Sequence, residues 1–323
     1  MLDKSAPIFV AGHQGMVGQA IMRRLSSSGH QELITRTRAQ LDLTNPAQVQ
    51  ALFKQQPISA LVIAAAKVGG IEANRSAPVD FLQQNLSLQT NLLAAAHEFG
   101  VQTVIFLGSS CIYPRLAPQP ISEEALLQGH LEPTNDAYAI AKIAGIKLCE
   151  AYNRQHNSDC RSLMPTNLYG PGDNFNLTQA HVAPALMRRL HQAKVEKADR
   201  VTVWGTGKPL REFLHVDDLA AAIEFTLNLS KQAYQAATEP HLSHLNVGTG
   251  DEVSIAELAR RLAEIVGFEG HLEFDTSKPD GTPRKLLDVS KLRNLGWEAT
   301  TKLDDGLRDT YRWFCTNESK LRL

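Results

Sequence analysis

Pro7-Ile8-Phe9-Val10-Ala11-Gly12-His13-Gln14-Gly15-Met16-Val17-Gly18 carries a strand, a glycine loop and a helix start in one short stretch. The apolar run before Gly12 has the composition of a buried strand, and Ile21 and Leu25 beyond Gly18 begin a helical period. The G-x-x-G-x-x-G spacing differs from the G-x-G-x-x-G dinucleotide fingerprint but meets the same physical need. Glycine permits a tight turn and close backbone approach, and the free N–H groups of the following helix receive a pyrophosphate. The plain alternative is an ordinary turn. The position between strand and helix favours nucleotide binding, with Gly12, Gly15, Met16, Val17 and Gly18 as candidate contacts.

Outward from that stretch, strands and helices alternate. Glu32-Leu33-Ile34-Thr35 reads as a second strand, Ala60 to Ala66 as a third, and Val104-Ile105-Phe106-Leu107 as a fourth. Between the last two lies a long helix with Leu82, Leu86, Leu93 and Ala96 on one stripe. This order predicts an α/β fold, a doubly wound parallel sheet of Rossmann type, with right-handed crossovers. Another strand ends at Met164, and the turn-rich Pro165 to Pro171 hands the chain to a second, smaller α/β lobe. The expected division is a nucleotide-binding domain over 1–170, rejoined by about 211–240. The smaller substrate lobe takes 171–210 and about 250–315.

Composition narrows the class. The 323 residues are 43% hydrophobic and 21% charged, with a formal charge of -1, which argues against a general nucleic-acid or membrane-surface binder. No apolar run approaches the ~20 residues of a membrane span. The four cysteines are scattered without C-x-x-C spacing, and no signal-peptide pattern precedes the first strand, so a reducing cytoplasm is expected. Asn85, Asn176 and Asn228 lie in N-x-S/T triplets that are chance matches unless the protein is secreted. No metal-ligand cluster stands out, and none is expected.

Several residues carry candidate chemistry. After the second strand, Arg36 and Arg38 suit a 2′-phosphate and so favour NADP(H), or else form a solvated pair; Asp42 is either an adenine-side contact or a helix cap. The fourth strand runs into Gly108-Ser109-Ser110-Cys111-Ile112-Tyr113-Pro114, an abrupt change to small, hydroxyl and thiol side chains. If the chain stays extended there, Ser109 and Cys111 share one face at the strand's carboxyl end, where open sheets bind ligands. The other reading is a Ser-rich turn with a buried structural thiol. Tyr138 and Lys142 are four apart on one helix face, and a nearby cation lowers a phenol's pKa. His181 lies near a helix start, with Arg188 or Arg189 returning to the same side. Trp204 and Arg211 offer a base-stacking surface and a phosphate fork, or else packing and surface charge. Asp217-Asp218 reads as a helix cap, and Lys278 to Lys285 as a basic loop.

Taken together, the glycine loop, Ser109 and Tyr138-x-x-x-Lys142 resemble the extended short-chain dehydrogenase/reductases that act on nucleotide sugars. More closely, Gly108 to Pro114, Glu132-Pro-Thr-Asn135, Tyr138 to Lys142, Met164 to Pro171 and Arg211 to Asp218 resemble the GDP-L-fucose synthase family, over about residues 6–314. The resemblance implies 3,5-epimerisation of GDP-4-keto-6-deoxy-D-mannose followed by NADPH-dependent reduction at C4, in a cytoplasmic homodimer. It implies Ser109, Tyr138 and Lys142 for the carbonyl, and Cys111 with His181 for the carbon-bound protons. Lys142 and His181 also face the cofactor. Asn167, Arg189, Trp204, Arg211 and Lys285 match substrate positions. A different nucleotide-sugar epimerase or dehydratase is the alternative, and a catalytically silent NADP sensor a more distant one. Ser110-Cys111-Ile112 offers no acid for water elimination, and the intact Tyr and Lys argue against a silent protein.

Gln14 stands where bacterial relatives of that family usually carry Arg, which places more of the NADP preference on Arg36 and Arg38. Arg36→Ala is therefore expected to raise KM for NADPH far more than KM for NADH; equal effects in steady-state kinetics would remove the argument.

Overall fold

A computed structural model describes residues 2–177, 180–278, 280–318 and 321. The strands in chain order are β1 (Ile8–Ala11), β2 (Leu33–Ile34), β3 (Ala60–Ile63), β4 (Thr103–Leu107), β5 (Cys160–Pro165), β6 (Asn167–Tyr169), β7 (Arg200–Trp204), β8 (Leu210–Arg211), β9 (Phe213–His215), β10 (His244–Val247), β11 (Val253–Ser254), β12 (His271–Asp275) and β13 (Arg284–Lys285). The helices are α1 (Met16–Ser27), α2 (Pro46–Gln55), α3 (Ile71–Ser76), α4 (Pro78–Glu98), α5 (Asp136–His156), α6 (Val182–Glu196), α7 (Val216–Asn228), α8 (Lys231–Ala236), α9 (Ile255–Val266), α10 (Ser290–Asn294) and α11 (Leu303–Asn317).

Six strands form a parallel sheet in the order β10-β5-β4-β3-β1-β2. The near-continuous apolar strands follow from burial on both faces. Phe9, Leu61, Ile63, Val104 and Phe106 point into one core beneath α2, α4 and α5. Ile8, Val10, Val62, Ile105 and Leu107 point into the other, with Leu219 and Ile223 of α7 and Ile21 and Leu25 of α1. The doubly wound expectation is borne out. Because β1 connects outward to β2 and the chain then returns past it to β3, strand order reverses between β1 and β3. A crevice opens there outside the carboxyl ends.

A third core lies beyond the sheet. Leu186, Met187 and Leu190 of α6 meet Leu258, Ala259 and Leu262 of α9 and Leu307 and Phe314 of α11. Three small sheets, β11-β8-β13, β12-β7 and β6-β9, lie outside the six-stranded sheet and contribute Val201, Val203, Phe213 and Val253 to this core. The late segment around Leu292 and Trp297 packs instead with β10 and α7.

Two local expectations change. On α4 the buried stripe is Phe81, Asn85, Leu88, Gln89, Leu92 and Leu93 rather than one led by Leu82 and Leu86. Polar residues enter it because they satisfy backbone groups. Asn85 pairs with both the N–H and the carbonyl of Lys67, and Gln89 donates to Ala141 O. That burial also closes the Asn85 triplet to modification in the folded chain. At the start of α7 it is His215 whose ring accepts the Asp217 N–H, while Asp218 accepts the N–H groups of Thr300 and Thr301 and the Thr300 hydroxyl. The acids are first-turn residues and the cap is the histidine.

Helix α5 lies close against β4 because residue 145 has no side chain: a Cβ there would stand 2.3 Å from the Phe106 ring. Lys142, one turn earlier, lies over the same ring. Gly145→Ala is thus expected to push α5 outward, lower stability by about 1–3 kcal/mol in urea unfolding, and reduce turnover through displaced Tyr138 and Lys142.

Candidate active site

The crevice at the switch between β1 and β3 is a cavity of about 300 Å³ lined by Gly12, Gln14, Gly15, Arg36, Arg38, Asp42, Ala65 and Ala66 among others. Its floor is backbone. A Cβ on Gly12 (φ +89°) would lie 2.6 Å from Ala65 N, and one on Gly18 would lie 2.1 Å from Gly12 O. Helix α1 begins after Gly15, which lines the crevice, and no acidic residue in its first turn offsets the positive helix end beside it. Asp42 does not cap α2. Asn45 does, and the Asp42 carboxylate instead accepts the N–H and hydroxyl of Thr44, which holds its pKa below the usual range. A larger cavity, about 520 Å³, lies within the proline-rich loop from Pro114 to Pro133 and contains none of the candidate catalytic side chains.

At the end of β4 the chain is not extended beyond Ser109. Ser109 itself is extended, and residues Ser110–Ile112 form a 3₁₀ turn whose Cys111 N–H is accepted by Ser109 Oγ at 3.3 Å. The turn still separates the side chains. Ser109 and Cys111 remain partly open while Ser110 and Ile112 are buried. Tyr113 enters the interior, where its hydroxyl lies 3.0 Å from His244 Nε2 and donates to Asn246 Oδ1.

Helix α5 delivers Tyr138 and Lys142 to this strand end. Lys142 is 3% exposed, its Nζ donates to Leu107 O at 2.8 Å, and it stands 5.8 Å from the centre of the Tyr138 ring. Burial lowers the lysine to about 8. The phenol behaves differently from the expectation of a Lys-depressed tyrosine. Burial and then the Cys111 sulfur raise Tyr138, and only the Ser109 hydroxyl, hydrogen-bonded to it, acts the other way. Ser109, Tyr138 and Lys142 are one cluster.

Cys111 opens a second cluster beside the first. Its sulfur accepts from Asn135 Nδ2 at 3.3 Å and from Lys285 Nζ at 3.6 Å. His181, at the N-terminal boundary of α6, keeps solvent-exposed surface while protein crowds its ring. Burial, then the Lys285 ammonium, lower its pKa. Farther out, Arg189 lies 4.9 Å and Lys278 5.7 Å from the centre of the Trp204 ring, which is 60% exposed. Arg188 is not on this surface; it donates to Phe175 O. Arg211 is half-buried with its guanidinium on Leu210 O, and Asn167 Nδ2 donates to Glu212 O at 2.7 Å.

Residues 8–248 match the NAD dependent epimerase/dehydratase family. The chain belongs to that family. It is 54% identical over 315 residues to GDP-L-fucose synthase of Escherichia coli (strain K12), covering 98% of each chain. It is 57% identical over 317 residues to GDP-L-fucose synthase 1 of Arabidopsis thaliana, covering 98% of this chain and 95% of the relative. A GDP-L-fucose synthetase from Naegleria fowleri bound to NADP has the same fold, with TM-score 0.88 and 28% identity, covering 100% of this chain and 98% of that one. The likeness to the GDP-L-fucose synthases carried by the motifs is borne out. Among the described residues no helix is long and apolar enough to cross a membrane.

Glu212 and Asn135 carry no individual role in the sequence, and Lys278 only its place in the basic loop. Glu212 is 0% exposed and its carboxylate accepts the N–H groups of Thr249, Gly250 and Leu287. A lone acid next to the apolar run Phe213-Leu214 was its one visible signal. Asn135 entered the sequence analysis only as the end of the motif Glu132-Pro-Thr-Asn135.

The burial of Lys142 has a measurable sign. Its pKa of about 8 lies below the ordinary 10.5, so the unfolded chain binds more protons between those values and wild-type stability rises across that window. At neutral pH the full cost, ~3 kcal/mol before the Leu107 hydrogen bond is counted, is present. Lys142→Met is expected to melt higher than wild type at pH 7, to lose the rise in stability between about pH 8 and 10.5, and to lose hydride transfer.

Proposed function

We propose that the protein converts GDP-4-keto-6-deoxy-D-mannose to GDP-L-fucose by epimerising C3 and C5 and then reducing the C4 ketone with NADPH. The observation that carries this reading is the adjacency of two kinds of machinery in one cleft. A Ser109–Tyr138–Lys142 carbonyl cluster lies beside the Cys111 thiol, which Lys285 contacts, and the charge of that same lysine acts on the His181 imidazole. A reductase alone needs only the first. The 54% and 57% identity to proteins named GDP-L-fucose synthase supports the same choice.

The carbonyl at C4 makes the C3 and C5 protons acidic, and inversion needs one group to remove a proton and another to return it from the opposite face. Cys111 and His181 take these parts. A lowered His181 pKa makes its protonated form a stronger acid than an ordinary imidazolium. Ser109 and Tyr138 donate to the C4 oxygen, stabilising the enolate during proton exchange and polarising the ketone afterwards. Tyr138 then supplies the final proton to that oxygen, with Lys142 one helical turn away. NADPH supplies the hydride. The glycine floor, the helix end and Arg36 with Arg38 fit its phosphates, and Lys142 and His181 would face its nicotinamide end. In this reading Trp204, with Arg189 beside it, holds the guanine base. Arg211 and Lys285 face the diphosphate, and Asn167 completes the wall.

The reading includes a cofactor lobe built on the six-stranded sheet and a smaller substrate lobe built on the third core, with the cleft between them. Four free cysteines suit a cytoplasmic location, and a homodimer is part of the same proposal.

The test supplies GDP-4-keto-6-deoxy-D-mannose and NADPH in heavy water. Deuterium at C3 and C5 with NADPH oxidation is expected, and NADPH loss without deuterium would leave only a reductase. Cys111→Ser should abolish the exchange while retaining oxidation of GDP-L-fucose by NADP⁺, and undiminished exchange would remove the thiol's part.

A further inference from the structure

We propose that Asn135 is a positioning residue for the Cys111 thiol, set aside from helix capping for that purpose; the inference rests on the reading of Cys111 as a proton carrier. Asn135 stands at the N-terminal boundary of α5, where asparagine is among the best capping residues because its oxygen accepts a free helix N–H. Its side chain makes no such bond. The Asp136 carboxylate takes the Ala137 N–H instead, and Asn135 Nδ2 turns to Cys111 Sγ at 3.3 Å. Asn135 Oδ1 is buried with no hydrogen-bond partner.

Two unfavourable features therefore accompany one contact. Forgoing the cap gives up helix stability, and an unsatisfied buried acceptor bears its desolvation penalty without a returning hydrogen bond. A neutral thiol is only a weak acceptor and returns little of that. An N–H aimed at sulfur is worth more when the sulfur carries negative charge, which happens each time a carbon-bound proton has left it or has yet to reach it. The local conflict is of the kind that clusters at functional sites.

The geometry adds a second consequence. Asn135 begins the helix that carries Tyr138 and Lys142, and Cys111 lies in the turn that Ser109 opens. Its bond ties the start of the carbonyl-bearing helix to the thiol-bearing turn. With Lys285 Nζ on the same sulfur at 3.6 Å, two donors leave one direction for the lone pair that takes the carbon-bound proton. Asn135 itself neither gains nor loses a proton.

Asn135→Asp separates this role from capping. Aspartate caps as well as asparagine and has nearly the same shape, but an ionised carboxylate has no N–H to donate. The melting temperature should be equal or higher, and oxidation of GDP-L-fucose by NADP⁺ should stay within about threefold of wild type. Deuterium entry at C3 and C5 should fall about 30-fold, the loss of one hydrogen bond to a charged group. The pH midpoint for alkylation of Cys111 by iodoacetamide should move upward. Asn135→Ser also keeps a cap but is too short for the sulfur, and should give the same loss of exchange without an added charge. Exchange within threefold of wild type in both variants would overturn the inference. So would a parallel fall of exchange, hydride transfer and melting temperature, which would mark a structural residue. Absence of deuterium entry in the wild-type enzyme during NADPH oxidation would overturn the epimerase reading itself.

Discussion

A single buried carboxylate holds the cleft in shape. Glu212 lies between Arg211 and Phe213 on the segment where β8 becomes β9, and it accepts three backbone N–H groups from two distant loops. Its own N–H donates to Lys285 O, and its carbonyl accepts the Asn167 side chain. Burial raises its pKa and the backbone donors oppose that rise. A charge in the interior is tolerable only with such partners. Because those partners are main-chain groups, the carboxylate ties down the exit of β10, the end of β13 and the wall at Asn167 at once. Gly248 is required beside it, since a Cβ there would lie 2.2 Å from the carboxylate oxygen.

Around this anchor the site keeps several groups in conditions that a structure built for stability alone would avoid. Lys142 is a buried ammonium with one carbonyl partner, and Tyr138 is a phenol raised by the same burial. Asp173, at the turn leading from β6 toward α6, is a buried acid pushed up to about 7 with one carboxylate oxygen unpartnered. Such groups are stabilised less well than they would be in water, and the surrounding cores make up the difference. The parallel sheet, apolar on both faces, is what supplies it. The candidate catalytic side chains therefore sit at strand ends and helix starts, where rigid elements position them and the cores carry the stability.

The order of strands and helices, the glycine loop and the switch-point crevice were all legible in the chain because each depends on local periodicity or on a glycine's missing Cβ. Spacing put Tyr138 and Lys142 on one helix face, and the resemblance joined them with Ser109. The sharing of a face by Ser109 and Cys111 was anticipated for a different reason, since a 3₁₀ turn replaces the extended chain and still leaves both side chains open to the cleft. Polar members of the α4 stripe were missed because Asn85 and Gln89 are buried to satisfy backbone far away in sequence, which no local pattern records.

What the sequence determined by itself was the α/β architecture, the place of the nucleotide crevice and the residue types available for carbonyl and proton chemistry, since these follow from contacts within a few residues. Only the tertiary structure decided which of those residues meet. Lys285 reaches Cys111 across 174 positions, Glu212 gathers loops 37 to 75 positions away, and Asn135 leaves its own helix for a thiol 24 positions earlier. The direction of each pKa was decided there too, because burial is a property of the packed chain and not of any stretch of it.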